Sequence, residues 1–224
     1  MFWDWNYAWE ILPTLMRASV VTIQATLLGF LLAAILGLVL AIARMSRTVW
    51  ISVPTAAAVE FIRSTPVLIQ IFFIFFVFPE FGLVLPAMTA GVIALGLHYG
   101  AYCSEVYRAG LENVPKGQWE ASIALNLNPF ITYRDIIIPQ AIPPVVPALG
   151  NYLVALFKET PLLSAIAVLE LMQTAKILGS QSFRYVEPIT LVGAFFLIMS
   201  LVAAALIRQV EAWLNRTLRI GAGR

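Results

Sequence analysis

The sequence is poor in the groups that most chemistry uses. It has one cysteine, Cys103, and one histidine, His98, in 224 residues. A single cysteine closes no internal disulfide, and neither residue type is numerous enough to build a metal cluster. No metal centre is therefore expected. Charged residues make up only 12% of the chain, and no nucleophile–base grouping stands out among them. No catalytic residue is assigned, and the chain is not expected to be an enzyme. A Gly-x-x-x-x-Gly-Lys-Ser/Thr phosphate loop is missing, so ATP is not held in that way and no cofactor is expected. The net charge of +2 offers no bulk attraction to nucleic acid. The opening residues, MFWDWNYAWEIL, lack the basic stretch of a cleavable signal peptide.

What the chain has is apolar surface. Hydrophobic residues reach 61% and the mean hydropathy is +0.88. A soluble domain of this composition would expose large patches and aggregate, whereas a bilayer accommodates it. A helical crossing needs about 20 apolar residues. Five candidate spans are predicted, at about 18–43, 56–78, 87–108, 148–168 and 188–207. The expected fold is an all-α, polytopic membrane protein with one transmembrane domain over 1–224. The first candidate carries no charge and is longer than a bilayer requires, which predicts tilt or extension beyond the lipid. Before it, Trp3, Trp5, Tyr7 and Trp9 read either as an interfacial aromatic anchor or as the amphipathic start of the first helix.

Basic residues divide unevenly between the two sides. Arg44, Arg47, Arg63, Arg108, Lys116, Arg134, Lys158, Arg208, Arg216, Arg219 and Arg224 fall on one, and Arg17, Lys176 and Arg184 on the other. The richer side is expected to be cytoplasmic. The N-terminus is then outside, the C-terminus inside, and the long polar insert at about 109–147 cytoplasmic.

That insert contains NVPKGQWEASIALNLNPFITYRDIIIPQA. Pro115 and Gly117 mark a turn, and a helix is predicted over about 118–125. Asn126 tolerates the left-handed conformation that stops a helix. Asn128-Pro129 reads as an N-cap followed by proline in the first turn of a second helix. That helix should carry Phe130, Tyr133 and Ile137 on one face and end at Pro139. Two short amphipathic helices here could dock on a partner or lie on membrane lipid.

Residues 120–139 resemble the EAA loop of bacterial ABC importer permeases. Glu120, Ala121, Asn126, Ile136 and Pro139 stand at that pattern's spacing, with Ser122, Asn126 and Ile138 in place of Ala, Gly and Leu. AYCSEVYRAGLENVPKGQWEA and EFIRSTPVLIQIFF resemble the polar amino acid branch, the histidine and glutamine permease type. The resemblance implies a type I importer permease fold in a bacterial inner membrane, carrying a polar amino acid or an ectoine-like solute. It implies an ABC ATPase dimer that uses the ATP, an extracytoplasmic solute-binding protein, and a second permease subunit, with a heterodimer favoured over a homodimer. It places the ATPase-coupling surface at Gly117, Gln118, Trp119, Glu120, Ala121, Ile123, Asn126 and Pro139.

Polar residues within apolar spans are functional candidates because burying them in lipid is costly. By helix rise, Lys158, His98 and Gln70 fall near the membrane midplane and Arg63 nearer the cytoplasmic interface. His98, Tyr102 and Glu105, spaced i, i+4, i+7, share one helix face, with Tyr99 off it. Arg63, Thr65, Gln70, His98, Tyr102, Lys158, Glu159 and Thr160 are the substrate-binding candidates. A cation and a carboxylate in one cavity, Arg63 or Lys158 with Glu159, could hold both ends of an amino acid, and Pro161 could free carbonyls to line it. The competing reading of the same residues is packing within or between subunits. Arg63-Ser64-Thr65-Pro66-Val67-Leu68 also parallels Lys158-Glu159-Thr160-Pro161-Leu162-Leu163. A second functional class, a proton-coupled secondary carrier, would use Glu105, His98 and Glu159 as a relay. A third is a scaffold subunit with no transport path.

Overall fold

The computed structural model describes residues 3–218, which form helices and no strand. Arg219 and Arg224, two of the charges used for orientation, lie outside the described residues. Helices are what lipid demands, because every backbone N–H and C=O must be paired within its own segment. Three helical segments among the described residues are long and apolar enough to cross a membrane: Trp5–Arg44, Pro129–Ile166 and Val186–Leu214. A bent pair, Val49–Arg63 with Val67–Phe81, makes a fourth if counted as one span. The predicted five also require α4 (Ala87–Glu112), which is long enough but carries its glycines, tyrosines and histidine among the other helices.

Helix α1 (Trp5–Arg44) has 40 residues, about 60 Å at the helical rise. It starts well before the predicted span because Asp4 caps it, accepting hydrogen bonds from the backbone N–H groups of Asn6 and Tyr7. Its early turns divide the aromatic cluster. Trp5 and Trp9 are exposed, while the Tyr7 hydroxyl lies 2.7 Å from Ser182 Oγ and bonds the Leu178 carbonyl. Ile11, Leu15 and Ala18 pack with Leu171, Ala175 and Val192.

The centre of the molecule is the α1–α4 contact. Gly29, Ala33, Gly37 and Ala41 recur every four residues and are all buried. A Cβ at Gly37 would stand 2.6 Å from Cys103 Cβ and 2.9 Å from the Gly100 carbonyl oxygen, and one at Gly96 would stand 2.6 Å from Leu32. Small residues on both helices thus let the backbones approach, the usual solution where lipid supplies no hydrophobic drive.

Two predicted boundaries move. The second candidate span is broken into α2 (Val49–Arg63) and α3 (Val67–Phe72), which continues as a π-turn over Phe73–Val77 and a 3-10 turn over Phe78–Phe81, with a 103° bend between the halves. Pro66 lacks an N–H and restrains Thr65 to extended geometry, so the helix stops before it. The Gln70 amide closes the gap, donating to the Ile62 carbonyl at 2.8 Å and to Thr65 Oγ1 at 2.7 Å.

Pro139, contrary to expectation, does not end a helix. After α5 (Lys116–Ala124) and α6 (Pro129–Ile131), a π-turn over Thr132–Ile137 leads directly into α7 (Ile138–Glu159), with Pro139 in its first turn. The wide turn just before the proline accommodates its ring and its missing N–H. The change of helical period also splits the expected face: Ile137 is buried, whereas Phe130 and Tyr133 are exposed.

Beyond α7, Pro161 frees no open stretch of backbone. The chain tightens into a 3-10 turn over Thr160–Ile166 and stops at Ala167, which is left-handed at φ 59°. The parallel between the two Thr-Pro segments therefore holds in one respect: each lies where an α-helix gives way, after Arg63 and after Glu159.

Helix α8 (Leu171–Ser182) begins at Glu170, whose buried carboxylate accepts from the Gln173 N–H at 2.7 Å and the Met172 N–H at 2.9 Å. Burial lifts this carboxyl above its ordinary range, and the two backbone donors oppose the shift. Helix α9 (Val186–Leu218) closes the bundle against α7, with Gly150 admitting Ile207.

Candidate functional site

The insert folds as two short helices joined by a capped turn. The α5 helix ends at Asn126, which adopts φ 53° as its side chain allows, and the Leu127 N–H reaches back to the Ser122 carbonyl at 3.0 Å. Asn128 then accepts from the Phe130 N–H at 2.8 Å and starts the next helix. Serine in place of alanine at 122 is tolerated because its buried hydroxyl donates to the Gln118 carbonyl at 2.7 Å. Trp119 packs edge-on against Tyr133, with ring centroids 5.3 Å apart, and lies over the buried Val114, Ile137 and Ala141. The other face of α5 is outward. Gln118, Glu120 and Ala121 are exposed, Ile123 is 78% exposed and Leu125 71%. A Cβ at Gly117 would have no neighbour within 4 Å among the described residues. Pro139 is half-buried, away from that outward face, in the first turn of α7.

The polar membrane residues do not all meet. Arg63, His98, Tyr102 and Glu159 belong to one aromatic cluster. The Arg63 guanidinium lies 5.2 Å from the Tyr102 ring centroid. His98 stands 5.3 Å from Tyr102 and 5.5 Å from Tyr99. Tyr152 of α7 stands 5.5 Å from Tyr102 and 6.2 Å from Tyr99. Glu159 interacts with Tyr99 through its side chain. Arg63 Nε, His98 Nδ1 and Glu159 Oε2 are buried with no hydrogen-bond partner among the described residues. The cluster thus runs from a guanidinium, across three tyrosines, to a carboxylate.

The remaining candidates lie elsewhere. Thr65 and Gln70 are used at the α2–α3 break. Thr160 is fully buried, and its hydroxyl donates to the Phe157 carbonyl at 2.7 Å. Lys158 lines a groove of about 350 Å³ between α7 and α9, shared with Asn151, Arg208 and Glu211.

Three features were missed from sequence. Tyr99, placed off the working face, sits inside the cluster one turn from Tyr102. Tyr152 is seven residues before Glu159 and so shares its face of α7, a spacing that could have found it. Glu105 is the hub of an ion network: it pairs with Arg44, with Arg63 at 3.3 Å and with Arg108 at 2.9 Å. It thereby serves three cations rather than His98, which removes a link from the proton-relay reading.

A multi-helix membrane protein with an outward-facing helical insert is the class that this geometry defines. Residues 33–218 match the family described as binding-protein-dependent transport system inner membrane component, and the chain belongs to that family. The probable amino-acid ABC transporter permease protein y4tG of Sinorhizobium fredii (strain NBRC 101917 / NGR234) is 47% identical over 205 residues, covering 92% of this chain and 89% of that protein. The L-cystine transport system permease protein TcyB of Bacillus subtilis (strain 168) is 36% identical over 209 residues, covering 91% and 89%. The crystal structure of an amino acid ABC transporter with histidines superposes with a TM-score of 0.90 at 33% identity, covering 95% of this chain and 99% of that one. The chain is therefore the permease subunit of an amino acid ABC transporter, with the type I importer permease fold. In such systems ATP hydrolysis belongs to a separate subunit.

Proposed function

We propose that this chain forms half of the membrane path for a polar amino acid, or an amino-acid-like compatible solute, driven by an ATPase dimer docked on α5. The outward face of α5 carries the reading. Glu120, Ile123 and Leu125 project from a helix whose other side is fixed by Trp119 and Ser122, so a push on α5 is transmitted to α7 rather than absorbed. Gly117, Gln118 and Ala121 complete that surface. Asn126 sets where it ends, and Pro139 supports it from the start of α7. ATP binding would close the ATPases, move α5 and open the pathway to a loaded binding protein. Hydrolysis would reverse the motion.

The aromatic cluster fits the solute. Arg63 suits a carboxylate, Glu159 an ammonium, and the unpaired atoms of Arg63, His98 and Glu159 are donors and acceptors that a zwitterion could satisfy. Tyr102 forms the wall between them. Thr65, Gln70 and Thr160 shape the backbone around this site. Lys158 faces the α7–α9 groove, which a second permease, favoured as a different chain, would cover. The charge distribution supports an external N-terminus and a cytoplasmic C-terminus, so a reporter inserted near Gln181 should read as external.

The experiment is a pair of variants in the reconstituted importer. Glu120→Lys should leave the complex inserted but abolish solute-stimulated ATP hydrolysis. Glu159→Gln should keep assembly and basal hydrolysis and lose uptake. Wild-type transport by Glu120→Lys would refute the coupling role. Loss of stability in Glu159→Gln, with ordinary solute affinity, would make that residue a packing element.

A further inference from the structure

The Glu105 carboxylate is crowded with donors. Its Oε2 takes Arg108 twice, from Nε at 3.1 Å and from Nη2 at 2.9 Å, and its Oε1 is already held by Arg44. Arg63 reaches the same Oε1 from further off, at 3.3 Å, and is the most loosely held of the three cations. Were Arg63 to leave, both oxygens of Glu105 would stay paired. Arg63 itself is not fully used. Its Nε is buried with no partner among the described residues. Its other carboxylate contact is Glu60 at 3.5 Å, whose side chain is 71% exposed, so that pair contributes little. Its guanidinium lies against Tyr102, the wall of the proposed solute cluster. Arg63 is also the last residue of α2, directly before the 103° bend. Its pair with Glu105 ties this helix end to α4, together with a bond of 3.5 Å from the Tyr102 hydroxyl to the Arg63 carbonyl.

We propose that Glu105 sets a requirement for a carboxylate in the solute: it occupies Arg63 in the empty chain, and a solute is accepted when its own carboxylate takes Arg63 over. The proposal rests on the reading of the cluster as the solute site and adds Glu105 to it as an internal competitor. A carboxylate suits the exchange because it offers the guanidinium the same pair of charged oxygens that Glu105 offered. No charge is then left alone, since Arg63 keeps an anion and Glu105 keeps Arg44 and Arg108. A carboxamide or a sugar would strip Arg63 of its counter-charge and give only neutral hydrogen bonds in return. The exchange also frees the end of α2 from α4 beside a bend, so that occupancy of the site is registered in the backbone.

The test measures equilibrium binding to the complete importer in nanodiscs, with neither binding protein nor nucleotide present. The probes are the twenty standard L-amino acids and ectoine, and, for the probe that binds, its carboxamide. Glu105→Gln should tighten binding of the acid about tenfold and leave the carboxamide unchanged. Arg44→Gln should weaken binding of the acid, because it leaves Oε1 to Arg63 alone. A residue that only held helices together would move both variants in the same direction. In an Arg63→Gln background, Glu105→Gln should bring no gain, as expected if the two act through one contact. Where Glu105→Gln does not assemble by itself, the Arg44→Gln/Glu105→Gln pair is compared with Arg44→Gln, and tightening is again expected. Unchanged or weaker binding of the acid in Glu105→Gln, or an equal gain for the carboxamide, would overturn the proposal. If no probe bound the wild-type complex, or if Arg63→Gln bound the acid normally, the solute reading of the cluster would itself fail, which is a distinguishable outcome.

Discussion

The carboxylate of Glu105 takes the Arg44 guanidinium from the end of α1 while its second oxygen holds Arg108 on α4. Arg63, the last residue of α2, completes the network through the first oxygen. Three helices are therefore locked at one level by a single acid, and Arg63 also borders the proposed solute cluster.

Glu105→Gln should leave three guanidiniums crowded about a neutral amide. The arginines are partly exposed, so the cost is discounted from that of a fully buried pair to about 1–3 kcal/mol. A lower unfolding midpoint for the purified subunit, partly restored by adding Arg44→Gln, is the expected result. An unchanged midpoint would mean that the network contributes nothing to holding these helix ends.

Gln70→Leu should loosen the α2–α3 break. The amide bridges Ile62 and Thr65 across the bend, and its loss should cost about 1–2 kcal/mol. Hydrogen exchange at Arg63–Val67 is the direct measurement and should accelerate. Equal protection in wild type and variant would show that Pro66 alone sets the bend.

The α1–α4 contact and the open flank of α9 give opposite predictions for Gly37 and Gly193. Gly37→Val must displace Cys103 or the Gly100 carbonyl, and overpacking of this kind costs about 1–3 kcal/mol or more. Gly193→Ala meets nothing within 4 Å, so in the purified subunit it should be neutral or slightly stabilising, because alanine is the better helix former. Thermal unfolding of both variants checks the pair, and equal effects would contradict the close-packing account.

Much of this was legible in the sequence, for physical reasons. Composition and span length point to a helical membrane protein because hydrocarbon leaves few alternatives. Asn126 and Asn128 revealed their turns because a left-handed stop and an N-cap are local chemistry. The Pro139 boundary was misplaced because a π-turn is set by how the following helix packs, which no proline announces. The cluster was read only in part for a related reason: Tyr99 and Tyr152 look like ordinary aromatics until two helices cross. The pairing of Arg63 with Glu105 rather than Glu159 depends on the 103° bend, which places the end of α2 beside α4.

The central claim is that this chain moves solute at the expense of ATP hydrolysed by a partner bound at α5. Its most direct test is uptake into proteoliposomes holding the chain with its ATPase and second permease. Solute and binding protein are supplied on one side, ATP on the other, and an uncoupler is present throughout. The account predicts uptake that requires ATP, resists the uncoupler and is abolished by Glu120→Lys. Uptake that proceeds without ATP and collapses with the uncoupler would contradict it and restore the ion-coupled carrier.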